Sequence, residues 1–427
     1  MAAMMNPTQA PLFYGWKVAW SAFVIAILGW GLGFYGPAVY LKAVQDRLGW
    51  SVALVSAAVT FHFLVGAVAV ANLPRLHRRF GLPIVTFGGA VVLAVGVVGW
   101  SLCQTPAQLF GATLLSGAGW VALGGVGINA MVTPWFNQLR PRALALAYNG
   151  ASIGGVVFSP LWVALLGAVG FAWSAVGVGL VTVMVVGFLA ATVLSQTPQG
   201  RGLAVDGVAA VETQPKSQGT AAAVVNPWKD AAFLTIAMGM ALGLFAQVGM
   251  IAHLYSLLTP ALGAQAAGFA AGLATAAAIV GRTATSWAIG PGTDRRVMAA
   301  LNYGIQIVGC LCFAAMAAGL VVAGPAANLL LLLGVVLFGF GIGNATSLPP
   351  LLVQLEFNAA DAARCIALIT ASAQATYAFA PLVFGLIREA TEKPGQSLSP
   401  VVFGVAAVLQ ALSAAAYVYG RGRFLRR

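Results

Sequence analysis

Twelve long apolar segments, each able to cross a bilayer, restrict this chain to one class of fold. Spanning the hydrocarbon takes about 20 apolar residues in a helix, and over runs of this length only helices satisfy every backbone group. With 60% hydrophobic and 7% charged residues, the chain has too little charge for a soluble surface. The pattern predicts an all-α membrane protein. Its predicted spans are residues 16–40, 51–74, 83–103, 107–135, 142–167, 172–194, 231–258, 265–290, 297–323, 327–355, 363–388 and 399–420.

Residues 195–230 interrupt the apolar pattern and divide the spans six and six. This stretch is rich in Gly, Pro, Gln and Thr, which predicts a flexible cytoplasmic linker between bundles at 1–194 and 231–427. The two halves also share a pattern offset by 215 residues: Gly119, Gly124, Asn129, Ala130 and Pro134 recur as Gly334, Gly339, Asn344, Ala345 and Pro349. We therefore expect two pseudo-symmetric six-helix bundles that enclose a site near the bilayer midplane.

The net charge of +12 is distributed unevenly between the predicted loops. If both termini are cytoplasmic, 15 basic residues lie in inside loops and the C-terminal tail, and 4 lie in outside loops. The four outside residues are Lys42, Arg47, Arg388 and Lys393. This bias predicts cytoplasmic termini by the positive-inside rule. The excess charge is interpreted as a topology signal that also contacts anionic lipid, with no nucleic-acid partner.

One arginine, Arg282, lies inside the apolar run of residues 266–290, which contains no Asp or Glu. A lone guanidinium at bilayer depth costs about 3 kcal/mol on insertion scales, and it is usually kept where it faces a cavity filled with water or substrate. Arg282 lies about 12 Å of helix from the predicted cytoplasmic end, too far for easy snorkelling. Because a guanidinium binds a planar carboxylate through two parallel hydrogen bonds, the sequence predicts that Arg282 binds an anionic substrate.

Other polar side chains in the apolar segments are candidates for the same cavity. The predicted substrate contacts besides Arg282 are Asn129, Asn149, Asn344, Gln374, Tyr35 and Tyr377. All nine acids fall in loops or at helix ends, so proton coupling is assigned to His62, to His253 or to the substrate carboxylate itself. The alternative role for the amides and histidines is hydrogen bonding between helices, and for the tyrosines it is interface anchoring.

Two stretches carry a family resemblance: Phe13-Tyr14-Gly15-Trp16 before the first span, and the run from Trp135 to Ala145 that leads into the fifth span. Both are similar to the monocarboxylate-transporter-like branch of the major facilitator superfamily, the first to the opening of that branch. The stretch comprising His253-Leu254, Gly281-Arg282 and Asp294-Arg295 resembles its helix 7 to loop 8–9 region, including oxalate:formate antiporter-like members. The resemblance implies the twelve-helix major facilitator fold and a substrate carboxylate bound to Arg282.

The resemblance also implies gating loops, and here the chain departs from the family pattern. The gating positions are Arg78, Arg79, Asp294 and Arg295. In the loop after the second span the family has an acid where this chain has Arg78. Dicarboxylate exchangers carry a lysine in helix 11, whereas residues 366–386 contain no basic residue, so one buried positive charge favours a monoanion. Mammalian-type members carry a further acid in helix 8, and no acid precedes Asp294 here.

The sequence favours a secondary transporter of a small organic monocarboxylate that works by alternating access with proton coupling. The alternatives are an anion exchanger and an efflux permease for amphipathic compounds; the latter would need buried acids, which the spans lack. No acid–base or metal constellation, pore ring or GxxxxGK[ST] loop supports an enzyme, a channel or an ATP-driven pump. The expected partners are the substrate anion, protons and membrane lipids. We expect a monomer in the bacterial cytoplasmic membrane, without metal or cofactor, whose four cysteines are structural thiols.

Overall fold

The structure, a computed structural model, describes residues 13–207, 226–290, 292–321, 324–392 and 399–424. In this part the chain forms α-helices joined by short loops and turns. The helices are α1 (Tyr14–Gly33), α2 (Gly36–Leu48), α3 (Val52–Phe80), α4 (Leu82–Leu102), α5 (Pro106–Trp120), α6 (Gly125–Val132), α7 (Arg140–Leu189), α8 (Ala231–Leu262), α9 (Ala264–Ala288), α10 (Arg295–Ala317), α11 (Pro325–Ile342), α12 (Asn344–Glu356), α13 (Ala359–Tyr377), α14 (Ala380–Thr391) and α15 (Pro400–Phe424). Residues 208–225 of the predicted linker lie outside the described residues, as do Lys216, Lys393, Arg426 and Arg427.

Within the described residues, eleven helical segments are long and apolar enough to cross a membrane, judged by length and composition. The longest, Arg140–Leu194, contains two spans, because Gly170 has φ 77° and ψ 168° and interrupts the helix. Glycine adopts a positive φ at little cost because it has no Cβ. The two predicted spans at 142–167 and 172–194 lie on either side of Gly170, so the twelve-span prediction is confirmed.

Four spans are interrupted near their centres. The first breaks at residues 34–35, the fourth at 121–124, the tenth at Gly343 and the eleventh at 378–379. A break releases backbone groups from the helical hydrogen-bond ladder. At membrane depth this is tolerated only where the backbone is buried in protein or lines a cavity. The four breaks therefore mark the interior of the bundle.

Three basic residues predicted in outside loops lie on helices instead. Lys42 and Arg47 belong to α2, because the first span continues to Leu48 and does not end near residue 40. The Arg47 guanidinium donates a hydrogen bond of 2.8 Å to the carbonyl of Cys103. Arg388 lies in α14 with only 6% of its surface exposed. Average hydropathy placed these residues in loops because it counts only the charge of each residue. It does not show that a distant segment provides a hydrogen-bond partner for that charge.

The two groups of helices, α1–α7 and α8–α15, make close contacts in one half of the bundle. We call the end where α1 begins and α15 ends the terminal face, and the opposite end the far face. Gly268 of α9 lies against Val163 of α7, and Gly272 lies one turn deeper against Val156. In the same half, α14 packs on α3 and α2 packs on α8. The described contacts therefore close the far face, while the groups separate toward the terminal face.

The internal repeat is visible in packing but is only partly symmetric. Gly119 approaches Leu93 of α4, and its counterpart Gly334 approaches Gly309 of α10, so each brings its span close to the preceding one. However, the fourth span breaks after Trp120, whereas the tenth continues to Ile342. The division into 1–194, 195–230 and 231–427 stays a prediction.

The first part of the predicted flexible linker is held against the helical bundle. Asp206 accepts backbone N–H bonds of 3.0, 2.7 and 3.3 Å from Asn137, Gln138 and Leu139, just before α7. Burial alone would raise the pKa of the Asp206 carboxyl, but these three donors and nearby Arg140 outweigh burial and lower it. Asp206 thus attaches this part of the predicted linker to the start of α7, a contact that composition does not reveal.

A glycine at the crossing of α9 and α11 gives the first prediction. A Cβ on Gly281 would overlap the carbonyl oxygen of Phe340, whereas a Cβ on Gly304 of α10 would meet nothing within 4 Å. We expect Gly281→Ala to lower stability by about 1–3 kcal/mol, the usual cost of overpacking. Thermal unfolding in detergent should show a lower melting temperature for Gly281→Ala than for the parent protein. The matched variant Gly304→Ala should keep the melting temperature of the parent. Equal melting temperatures for the two variants would contradict the close crossing.

Candidate functional site

Arg282 lies partly buried on α9, at the level where the tenth span is broken. Its Nε donates a 3.3 Å hydrogen bond to the carbonyl of Gly343, which immediately follows α11. Across residues 13–207, 226–290, 292–321, 324–392 and 399–424, no carboxylate forms an ion pair with Arg282, and Nη1 and Nη2 form no hydrogen bond. A helix C-terminus carries partial negative charge, so Gly343 holds the guanidinium without neutralising it.

Tyr35 lies at the break in the first span and faces Arg282 from the other group of helices. Its ring and Thr275 of α9 both surround Gly155 of α7, where an added Cβ would lie 2.7 Å from Tyr35 Cζ and 2.8 Å from Thr275 Oγ1. Tyr35 and Arg282 are close enough to interact electrostatically. Spans 1, 5 and 8 therefore meet at one point near the centre of the molecule.

The register of α7 against α9 places Asn149 level with Arg282. These helices run in opposite directions, and Pro160 and Val156 contact Gly272 while Gly155 contacts Thr275. Toward the terminal face, residue numbers therefore fall along α7 and rise along α9. Two turns beyond the Gly155–Thr275 contact, Asn149 lies opposite Arg282, and Asn149 is exposed there. The predicted contact Asn149 thus borders the gap between the two groups.

Aromatic side chains from both groups of helices pack together beside the break in the eleventh span. Tyr377, the last residue of α13, stands edge-on to Phe63 of α3 with ring centroids 6.2 Å apart. Phe63 also packs on Phe34 at 5.8 Å and on Trp120 at 6.3 Å. Gln374, partly buried one turn before Tyr377, lies on the same helix. The predicted contacts Tyr377 and Gln374 therefore lie beside the break in the eleventh span.

The two repeat-related asparagines bind protein groups. The Asn129 amide donates to the Tyr148 hydroxyl at 2.5 Å and to the Gly125 carbonyl at 2.9 Å. Asn344 is 2% exposed, and its amide donates 2.7–3.2 Å hydrogen bonds. Their acceptors are Gly281 O, Thr285 Oγ1 and Asn302 Oδ1. Since Asn344 joins the start of α12 to the turn of α9 that carries Arg282, it positions the arginine in this conformation.

A small, mostly apolar cavity lies between the two groups, toward the far face from Arg282. The polar side chains in its wall are Tyr35, Ser159, Tyr255 and Thr275. The remaining lining residues are Ala38, Val39, Ile251, Leu254, Ala271, Ala274 and Ile342. Together with the arginine, this arrangement offers a receptor for an anion beside a compact pocket for an apolar group.

His62 is fully buried and hydrogen-bonded within the first group. Its Nε2 lies 2.9 Å from the carbonyl of Gly33, which can only accept, so Nε2 carries the hydrogen. Its Nδ1 lies 2.8 Å from the hydroxyl of Ser116, which donates to it. The neutral ring satisfies both bonds and holds the carbonyl that the end of α1 leaves free.

His253 is also fully buried and links α8 to α14. Its Nε2 lies 2.9 Å from the carbonyl of Pro381, and its Nδ1 lies 3.1 Å from Nη1 of Arg388. The same Nη1 donates to the Ser256 hydroxyl at 2.6 Å, and Nε of Arg388 pairs with Glu392 at 2.7 Å. Both predicted proton-coupling histidines thus have protein partners for both ring nitrogens.

The predicted gating positions lie at the terminal face. Arg78 and Arg79 are exposed at the end of α3. Asp294 caps α10 by accepting the N–H groups of Arg296 and Val297 at 2.9 and 3.2 Å, and it pairs with Arg421 at 2.5 Å. Burial alone would raise the Asp294 pKa, but these donors outweigh burial and lower it.

Arg295, the fourth gating position, donates a 3.4 Å hydrogen bond from Nη1 to the carbonyl of Leu351 in α12. This bond joins the first residue of α10 to the second half of the tenth span. With Asp294 and Arg295 bound to α10, α12 and α15, the loop before α10 is attached to its own group of helices in this conformation.

Sequence reasoning missed two buried arginines. Arg296 is 2% exposed and binds Glu356 through two hydrogen bonds of 2.6 and 2.7 Å. Arg388 was placed in a loop, although it follows Phe384 by one helical turn on the same face of α14. That spacing is a signal that could have identified Arg388. The Arg296–Glu356 pair joins residues 60 positions apart and left no local signal.

Comparisons with known proteins agree with this architecture. A model of the Major Facilitator Superfamily matches residues 19–381. The chain is 25% identical over 303 residues to the MFS transporter asaE of Aspergillus flavus, covering 69% of this chain and 61% of that protein. It is 24% identical over 184 residues to human Monocarboxylate transporter 7, covering 41% and 33% of the two chains. The match thus spans less than two thirds of either relative.

Solved structures of transporters share the fold at low sequence identity. The nucleoside transporter NupG aligns with a TM-score of 0.73 at 13% identity, over 95% of this chain and 99% of that one. A bacterial homolog of the human lysosomal transporter Spinster, in an inward-facing and occupied conformation, aligns with a TM-score of 0.68 at 14% identity, over 98% and 99%. The chain belongs to the Major Facilitator Superfamily and is an integral membrane protein.

Proposed function

We propose that this transporter moves a small organic monocarboxylate across the bacterial cytoplasmic membrane by alternating access, with Arg282 as the carboxylate receptor. The observation that carries the proposal is the guanidinium itself. The guanidinium faces the gap between the two groups of helices. Only its Nε forms a hydrogen bond, to the carbonyl of Gly343, and it forms no ion pair with a described acid. A carboxylate can accept two parallel N–H bonds from the free edge of the guanidinium.

The surroundings of Arg282 favour a small and singly charged substrate. The adjacent cavity is mostly apolar and compact, which suits a short hydrocarbon group on the carboxylic acid. In this proposal the Tyr35 hydroxyl and the exposed amide of Asn149 donate further hydrogen bonds to the substrate, and Gln374 and Tyr377, beside the break in the eleventh span, are further contacts. The N-terminus of α2, next to Tyr35, adds positive potential for an anion.

The orientation and the coupling are part of the same proposal. The bias of basic residues favours cytoplasmic termini, so that the closed far face is external and the open terminal face is cytoplasmic. Symport of one proton with one monoanion would make the transport cycle electroneutral. Anion exchange is the rival mechanism, because exchanging one organic anion for another is also electroneutral. Efflux of amphipathic compounds is the remaining alternative.

Uptake by purified protein in liposomes separates these mechanisms. A panel of labelled short monocarboxylates, dicarboxylates and amphipathic cations should be offered with and without a pH gradient. We expect monocarboxylate uptake that a more acidic outside drives in the absence of internal substrate. Uptake that requires a carboxylate inside the liposome would favour exchange. Transport of amphipathic cations without transport of any acid would reject the proposal.

A further inference from the structure

Buried His253, Ser256 and Arg388 form a cluster with the partly exposed Glu392 in the far half of α8 and at the end of α14, away from Arg282. Side chains of His253 and Arg388 are 0% and 6% exposed, although both belong to residue types that water solvates strongly. Burying an arginine against a histidine provides no opposite charge for the arginine at that contact. This arrangement calls for an explanation beyond packing.

Hydrogen-bond chemistry fixes the protonation state of His253 in this conformation. An arginine N–H can only donate, so Nδ1 of His253 must present its lone pair to Nη1 of Arg388 at 3.1 Å. The Pro381 carbonyl can only accept, so Nε2 must carry the hydrogen of the 2.9 Å bond. The ring is therefore the neutral Nε2–H tautomer. A proton added at Nδ1 would place two donors and two positive charges face to face.

Other charged groups near the cluster do not relieve this conflict. Glu392, the acid of the cluster, pairs with Nε of Arg388 and not with the imidazole. On the same helix, Glu389 accepts the backbone N–H of Ala53 in α3 at 3.0 Å. From α2, Asp46 lies near Tyr255 and pairs with Lys42, and Arg47 donates to the carbonyl of Cys103. The remaining described charged residues of helices packed on α8 lie at the centre or near the terminal face: Lys229, Arg282, Glu356, Asp361, Arg364 and Arg421.

The helix α14 connects this cluster to the contacts that close the far face. One side of α14 faces α8 through Pro381, Phe384 and Arg388, and Phe384 packs against Gly249. Its other side faces α3 in the first group. There the N–H of Leu382 donates to Thr60 at 3.1 Å, and Gly385 lies against Ser56. A shift of α14 away from α8 would therefore disturb the contacts between the two groups.

We propose that His253 and Arg388 form a proton-binding site in which neutral His253 holds α14 against α8 and keeps the far face closed, and in which protonation of His253 opens it. A proton from the far side binds the lone pair of Nδ1, and the Arg388 N–H loses its acceptor. The proposal rests on the transport cycle proposed above for its role in coupling. With an external far face, acid outside would favour the outward-open state that receives substrate and proton together.

Spin-label distances across the far face test this without any substrate. In full-length protein lacking the four native cysteines, labels at the exposed positions Gln104→Cys and Leu320→Cys report separation of the two groups. Between about pH 8 and about pH 5, where histidine titrates, we expect the long-distance population to rise several-fold. His253→Gln, which can donate to Pro381 and accept from Arg388 while staying neutral, should lose this response.

Two further variants keep the test decisive if His253→Gln fails to fold. Arg388→Gln removes the opposing charge, and its amide can accept from a protonated imidazole, so its distances should be independent of pH. His77→Gln, at the partly buried third histidine near the terminal face, should keep the full response. A pH-independent far face in the parent protein, or an unchanged response in His253→Gln or Arg388→Gln, would overturn the proposal.

The outcomes also separate this inference from the proposed substrate. If the distances across the far face do not change with pH while monocarboxylate uptake depends on Arg282, the proton site is rejected and the role of Arg282 as carboxylate receptor is retained. If the far face responds to pH through His253 but no carboxylate is transported, the proton site stands and the substrate assignment is rejected.

Discussion

Replacing Arg282 by lysine should reduce carboxylate uptake by about 10- to 100-fold, although the charge is retained. Hydrogen bonds to charged groups are worth about 1.5–3 kcal/mol each, and each 1.4 kcal/mol corresponds to about a factor of ten. A lysine ammonium is a point charge without the planar fork, so it cannot bind both carboxylate oxygens in parallel. It would also lose the Nε bond that Gly343 receives from Arg282. Initial uptake rates in liposomes over a range of substrate concentrations measure the loss.

Arg364→Lys is the matched control for this substitution. Arg364 lies on α13 in the same group of helices and is exposed. The same chemical change should leave uptake within about twofold of the parent, since surface substitutions usually cost less than about 0.5 kcal/mol. Full uptake by Arg282→Lys would remove the arginine from the role of receptor. Equal losses in both variants would point to a general effect on folding.

The position of Arg282 could be predicted from the sequence, but the way it is held could not. A single charge in an apolar run is a local signal, and the cost of burying it applies wherever the helix packs. The Gly343 carbonyl is available only because the tenth span breaks there. That break depends on the fit of α11 and α12 against α9 and α10, which hydropathy does not encode. The twelve spans could be predicted for the same reason, because a long apolar run is also a local signal in the sequence.

Pairings between distant segments were the main features that the sequence did not reveal. Glu356 was correctly placed at a helix end, yet this acid is 4% exposed because Arg296 lies across from it. Arg388 was assigned to a loop, and its contact with His253 spans 135 residues. A charge at the edge of an apolar segment looks the same in sequence whether water or a protein partner solvates it.

The Arg296–Glu356 pair gives the prediction with the largest effect on stability. Its two side chains are 2% and 4% exposed. Arg296 also donates to Thr235, to the Ala232 carbonyl and to the Tyr417 carbonyl at 3.0–3.4 Å. Glu356→Gln would leave the guanidinium buried without a countercharge. Breaking a buried pair in this way costs about 3–5 kcal/mol, so thermal unfolding in detergent should show a large drop in melting temperature.

A surface pair provides the control for Glu356→Gln, and a double variant identifies the cause. Asp46 pairs with Lys42 on α2 but is 61% exposed, so Asp46→Asn should cost only about 0–1 kcal/mol. The double variant Arg296→Met with Glu356→Leu removes both charges and should recover much of the lost stability, because apolar replacements of buried pairs are often neutral. If Glu356→Gln unfolds no earlier than Asp46→Asn, the pair does not tie spans 7, 9, 10 and 12 together at the terminal face. If the double variant is as unstable as Glu356→Gln, the loss comes from packing and not from the stranded charge.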